Sequence, residues 1–172
     1  MRRLTVITTG GTIEKVYDEE SGVLVNRASL VQRMLAELRL EDSEIAVVEL
    51  MSKDSLDMTA EDRRSVLDTV RAEGAENRGF GPAGIVILHG TDTLAETGEL
   101  LYRELLGVAV PVVLTGAMRP FEMKRSDALQ NLTEALFATG VLAPGVYVVA
   151  HGRALAFPGV RKDRDSGTFV RR

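Results

Sequence analysis

The chain of 172 residues has no cysteine and only two histidines, His89 and His151. The first absence excludes a disulfide, a thiolate nucleophile and a thiolate metal ligand, and it accords with a reducing compartment. The second leaves too few imidazoles for a histidine-rich zinc site. His89 precedes a glycine at a strand end, where a satisfied structural role and a functional one are both open. Long apolar runs are also missing: no stretch approaches the length of a membrane span. The charged start Met1-Arg2-Arg3 leads directly into a strand rather than into the apolar segment of a signal peptide. A cytoplasmic location without membrane attachment is therefore expected. There is no basic excess either. A net charge of -4 argues against a nucleic-acid partner, which needs a cationic stripe. The arginines at Arg2, Arg3 and from Arg161 to Arg172 are interleaved with acids, as on a solvated terminus.

What is present is the composition of a globular chain, 45% hydrophobic and 27% charged, long enough for one domain with a sizeable core and short for two. A single domain over residues 1–172 is expected. Short apolar runs at residues 4–8, 45–50, 84–88, 111–115 and 146–149 read as buried strands. Helical patterns separate them. Leu30, Met34, Leu35 and Leu38 share one face, and Thr59-Ala60-Glu61-Asp62 resembles a capping box that leads into Val66, Leu67 and Val70. The helix after Thr93 is predicted to bury Leu94, Gly98, Leu101, Tyr102 and Leu105 before Gly107 stops it. A helix over 126–138 turns Leu129, Leu132, Ala135 and Leu136 toward the sheet, and residues 147–157 read as a hairpin turning at His151-Gly152. Right-handed crossovers then give a three-layer α/β/α sandwich with a mainly parallel sheet in flavodoxin-like order and a C-terminal hairpin. The polar segment 15–26 is expected to be a mobile loop.

Three of the apolar runs end in glycine beside threonine: Thr8-Thr9-Gly10-Gly11-Thr12, His89-Gly90-Thr91-Asp92-Thr93 and Thr115-Gly116-Ala117-Met118-Arg119-Pro120. Glycine lets backbone amides approach a ligand, and threonine supplies a hydroxyl. Strand-to-helix turns often carry glycine and a capping hydroxyl with no ligand at all, but three such turns together favour a pocket. With cysteine absent, a nucleophile has to be a hydroxyl, and Thr12 after the glycine pair is the natural candidate. Thr91 with Asp92, Lys162 and Tyr17 are candidates to activate it. Each has a plainer alternative: Asp92 as a helix cap, Lys162 as a solvent-facing residue of a charged run, Tyr17 as a loop residue, and Ser55 as part of a turn.

The segments Thr9-Gly10-Gly11-Thr12-Ile13, His89-Gly90-Thr91-Asp92-Thr93 and Gly116-Ala117-Met118-Arg119-Pro120, in this order, resemble the L-asparaginase/glutaminase family of threonine amidohydrolases. The likeness extends over essentially the whole chain and points to short single-domain bacterial L-asparaginases. It implies that Thr12 is the nucleophile and that Thr91, Asp92 and Lys162 form the second catalytic group. It implies further that Ser55 holds the substrate α-carboxylate and Asp92 its α-ammonium, and that the backbone of Gly11 and Ala117 lines the pocket. Ser126-Asp127 and Asn131 match a stretch that is structural or interfacial in the family. The chain departs from the pattern at three points. Val23 stands where the family carries a loop tyrosine, leaving Tyr17 as the tyrosine nearby. Leu56 replaces a polar residue, and the family's smaller C-terminal domain, with the acidic residue that a neighbouring subunit contributes to the site, is expected to be absent. The implied activity is hydrolysis of L-asparagine to L-aspartate and ammonia without metal or organic cofactor, in a homodimer or tetramer, with segment 15–26 closing as a lid. L-glutamine hydrolysis, an amidotransferase amidase subunit, or a non-catalytic amino-acid-binding module are the alternatives.

Overall fold

In the computed structural model every residue except Arg78, Phe80 and Arg172 is described, so the last arginine of the tail lies outside the described residues. The chain runs through β1 (Arg2–Gly10), β2 (Val16–Asp18), β3 (Val23–Val25), α1 (Val31–Ala36), β4 (Ser43–Lys53), α2 (Ala60–Ala72) and β5 (Gly84–Leu88). It continues through α3 (Leu94–Glu104), β6 (Pro111–Thr115), α4 (Ala128–Ala138), β7 (Gly145–Ala150), β8 (Arg153–Ala156), β9 (Val160–Asp163) and β10 (Thr168–Arg171). The main sheet has the order β4-β1-β5-β6-β7-β8, parallel but for the antiparallel edge strand β8. Its five parallel strands follow the flavodoxin-like order, with the reversal between β1 and β5.

Side chains of β5 alternate between two apolar layers. Ile85 and Ile87 pack with Val66, Leu67 and Val70 of α2 and Leu94 and Leu101 of α3. Val86 and Leu88 pack with Val31 and Met34 of α1 and Leu132 and Ala135 of α4. A strand buried on both faces needs apolar residues at every position, which is why its run is unbroken. Burying each such side chain is worth about 1.5–3 kcal/mol. The helix starts follow the sequence: Thr59 and Asp62 form the reciprocal capping box that opens α2.

The structure departs from expectation in places. Tyr102 is 48% exposed, because at 100° per residue it falls beside the Leu94, Leu101 and Leu105 face rather than on it. Segment 15–26 is largely the antiparallel ribbon β2–β3. The tail adds a second ribbon, β9–β10, seated by Val160 and Phe169 on the α3 side of the sheet. No described helix is long and apolar enough to cross a membrane.

Candidate active site

The carboxyl ends of the central strands are tied sideways by hydroxyl and amide donors. The Thr9 hydroxyl donates to Leu88 O at 2.8 Å, the His89 N–H to Thr115 O at 2.9 Å, and the Thr115 hydroxyl to Val149 O at 2.7 Å. The Gly11 N–H donates to Lys53 O at 2.8 Å, joining the first turn to the end of β4. Four turns thus open from one row.

Missing side chains let these turns touch. Gly11 has φ +78, and a Cβ there would lie 2.4 Å from the Gly90 Cα. A Cβ on Gly90 would in turn lie 2.5 Å from Ser55 Cβ and Oγ. One on Gly116 would stand 2.3 Å from His89 O and 3.1 Å from Thr91 Cγ2. Glycine at these positions is therefore a packing requirement, and the three glycine motifs and the Ser55 turn form one contact set.

Thr12, half-buried, opens a 3-10 turn (Thr12–Glu14) right after this contact. Among the described residues its hydroxyl makes no hydrogen bond. The buried Thr91 hydroxyl accepts from Lys162 Nζ at 2.8 Å, and the same ammonium donates to Asp92 Oδ1 at 3.0 Å. Arg164 approaches that carboxylate oxygen at 3.2 Å. Lys162 is thus drawn in from the tail ribbon onto the second motif. Asp92 does not cap α3 with its side chain, since α3 has no side-chain cap and the Thr93 hydroxyl donates to Ser55 O at 2.9 Å. Ser55 is 1% exposed, and its Oγ has no partner among the described residues. A buried orphan hydroxyl is costly unless a ligand satisfies it.

His89 is fully buried and satisfied. Burial pushes its pKa down to about 4, helped by the Arg63 charge and opposed by the bond to Gly90 O. The neutral ring donates from Nδ1 to Gly90 O at 2.9 Å and accepts the Thr97 hydroxyl at Nε2, 2.8 Å away. Glu14 is a buried carboxyl raised above its ordinary pKa by desolvation, against the bonds it accepts from Ser29, Leu30 N and Gly10 N. It ties the Thr12 turn to the start of α1, a role that sequence reasoning missed although an acidic residue inside Thr9-Gly10-Gly11-Thr12-Ile13-Glu14 is a usable signal. Lys15 pairs with Asp54, whose carboxyl that bond holds below its usual value.

Tyr17 is 58% exposed on β2 and its hydroxyl bonds no described residue, while Val23, paired with Asp18 across the ribbon, is 53% exposed. Leu56 also faces out. Ala117 is buried, packed in the α1 and α4 layer. Asp127 and Asn131 brace the third motif: the carboxylate accepts from Met118 N and Arg119 N at 3.0 Å, and Asn131 Nδ2 donates to Gly116 O at 2.8 Å. Among the described residues no three acidic or histidine side chains gather into a set that could hold a metal ion.

Hydroxyls, an aspartate and a lysine collected at the strand ends beside the β1/β5 reversal form the arrangement in which open α/β sheets hold their ligands. The family model described as "Asparaginase, N-terminal" matches residues 3–168, and the chain belongs to that family. It is 34% identical over 146 residues to the L-asparaginase of Thermococcus kodakarensis, covering 85% of this chain and 43% of that protein. It is 32% identical over 161 residues to a glutamyl-tRNA(Gln) amidotransferase subunit of Methanococcus vannielii, covering 88% of this chain and 35% of that protein. The solved structure of the thermostable L-asparaginase from Thermococcus kodakarensis superposes with a TM-score of 0.84 at 31% identity, covering 98% of this chain and 51% of that chain. The chain spans about half or less of the length of these relatives.

Proposed function

We propose that this chain is an amidohydrolase that converts L-asparagine to L-aspartate and ammonia with Thr12 as nucleophile. The observation that carries the reading is the Gly11–Gly90 contact, which sets the Thr12 turn against the strand end where Lys162 holds Thr91 and Asp92. In the first step Thr12 Oγ attacks the carboxamide carbon, and backbone amides near Gly11 and Thr91 hold the oxyanion. The proton leaving Thr12 passes through the Thr91, Asp92 and Lys162 unit to the departing nitrogen, and ammonia leaves a Thr12 ester. Water then attacks that ester, releasing aspartate and restoring the hydroxyl. The orphan Ser55 hydroxyl is suited to the substrate α-carboxylate, and Asp92 to its α-ammonium. No step calls on a metal or organic cofactor.

The test is a coupled ammonia assay over both amides. L-Asparagine turnover by the wild type and loss of it in a folded Thr12→Ala variant are expected, and wild-type turnover by that variant refutes the nucleophile. The likeness to an amidotransferase component favours a second reading, in which L-glutamine is the better substrate and ammonia is passed to a partner. The ratio of the two turnover rates separates them. Tight aspartate binding without ammonia release identifies instead a binding module. Self-association as a homodimer or tetramer and a cytoplasmic setting accompany the proposal, the former checked by light scattering.

A further inference from the structure

The two-residue turn between β7 and β8, bounded by the Ala150–Arg153 pair, has both central residues at positive φ, His151 at 53 and Gly152 at 73. Such hairpin turns favour Asn-Gly, Asp-Gly or Gly-Gly. Histidine tolerates the conformation but is outside that set, so its side chain is the feature to account for. Nε2 lies 2.7 Å from Asp127 Oδ2 at the start of α4, and Nδ1 lies 3.0 Å from Thr168 Oγ1 on β10. The His151 backbone N–H donates to Asn131 Oδ1 at 3.0 Å, and the Gly152 N–H to Glu134 Oε2 at 2.8 Å, which pins the turn itself.

We propose that His151 is a positioning residue for Lys162, docking the β9–β10 ribbon on the carboxyl end of the sheet. The proposal rests on the role given to Lys162 above. Asp127, on the α4 side of the sheet, carries the amides of Met118 and Arg119 from the third motif. Thr168, on the α3 side, pairs with Asp163, next to the Lys162–Phe169 pair. One imidazole therefore joins the wall made by the third motif to the ribbon that delivers the lysine. A carboxylate accepts only, so Nε2 donates to Asp127; Nδ1 then accepts the Thr168 hydroxyl proton, or donates to that oxygen when the ring is charged. The bridge survives in either charge state, so its effect is geometric. A displacement of about 1 Å at a catalytic group can lower a rate by about 100-fold, so a tether at the strand pair next to that of Lys162 has leverage on turnover.

His151→Asn is the discriminating variant, since asparagine is favoured in this turn but is too short to span Asp127 and Thr168. If His151 served only the turn, that variant would keep full activity and gain stability. The bridge predicts a melting temperature within a few degrees of the wild type, the better turn offsetting the lost bonds, together with a kcat for L-asparagine lower by about tenfold, the worth of one lost hydrogen bond to a charged group, and a KM within about twofold. Thr168→Val, which removes only the hydroxyl, lowers kcat by about threefold, and the double variant is no worse than His151→Asn, because both cut one connection. Amide exchange over residues 160–163 and 168–171 speeds up in both single variants. Unchanged kcat and unchanged exchange in both overturn the proposal. If the wild type turns over neither amide, the activity reading fails separately, and ribbon exchange alone decides: faster exchange sustains the tether and unchanged exchange removes it.

Discussion

Two antiparallel ribbons of similar length each carry a catalytic candidate read from the sequence, Lys162 on one and Tyr17 on the other, and they are held very differently. In β9–β10, Val160 and Phe169 are buried in the α3 layer, Lys162 bonds Thr91 and Asp92, and Thr168 bonds His151. In β2–β3, Tyr17 and Val23 face solvent, and the charged contact is the Arg27–Asp18 pair at the surface. A surface ion pair adds at most about 1 kcal/mol, whereas two buried apolar side chains add several. A ribbon sewn into the core delivers its polar residue at a fixed place. The outer ribbon is held more lightly, by the partly buried Val16 on the α1 and α4 layer and, just past its end, by the Asn26 side chain donating to Gly11 O at 2.9 Å.

The first way to break this contrast is catalytic. Lys162→Met should lower kcat by about 1,000-fold, near the loss for one strong transition-state donor, whereas Tyr17→Phe should change it by less than about threefold. A large loss in Tyr17→Phe would place that tyrosine in the chemistry despite its exposure. The second way is structural. Phe169→Ala should destabilise the fold by about 3–5 kcal/mol in urea unfolding, and Val23→Ala by no more than about 0.5 kcal/mol. Equal losses would erase the distinction.

The third concerns titration. The buried His89 holds a folded pKa of about 4 against an ordinary 6.5, so its contribution to stability is complete above pH 6.5 and is lost as pH falls toward 4. The difference amounts to about 3 kcal/mol. Asp18 on the outer ribbon is also lowered, chiefly by its bond from Ser21, but it titrates at the surface and should leave unfolding unchanged. Imidazole NMR signals followed from pH 7.5 to 4.5 check the first point: His89 should remain neutral through pH 5, and titration near its ordinary value would show the side chain to be solvated. The smallest effect is on binding. Ser55→Ala should weaken L-aspartate affinity by about tenfold while leaving the melting temperature within a few degrees, since the hydroxyl has no partner among the described residues to lose.

The sheet is legible because Ile85, Val86, Ile87 and Leu88 are apolar at every position, a pattern that only a two-sided burial explains. Glycine beside threonine marks the strand ends, and Thr59 with Asp62 marks a helix start, since these are local signals acting over a few residues. The placement of Lys162 is not local: its partners lie 71 and 70 residues earlier, and only the packing of Val160 and Phe169 brings it back. Within its own charged run it reads as a surface lysine. The outer ribbon reads as a loop because Val23-Leu24-Val25 is too short to stand out between charged neighbours. Asp127 and Asn131 do carry a usable signal, an i, i+4 polar pair at the start of α4, and the third-motif backbone groups they hold are visible in sequence only as a glycine turn.

The central claim is that the Thr12 hydroxyl faces a bound side-chain amide across a crevice shared with Thr91, Asp92 and Lys162. A crystal structure of Thr12→Val soaked with L-asparagine tests it most directly. The account predicts the amide carbon against residue 12, the α-carboxylate on the Ser55 hydroxyl and the α-ammonium on Asp92. Asparagine bound away from the Gly11–Gly90 contact, or with its α-carbon rather than its amide toward residue 12, would contradict it.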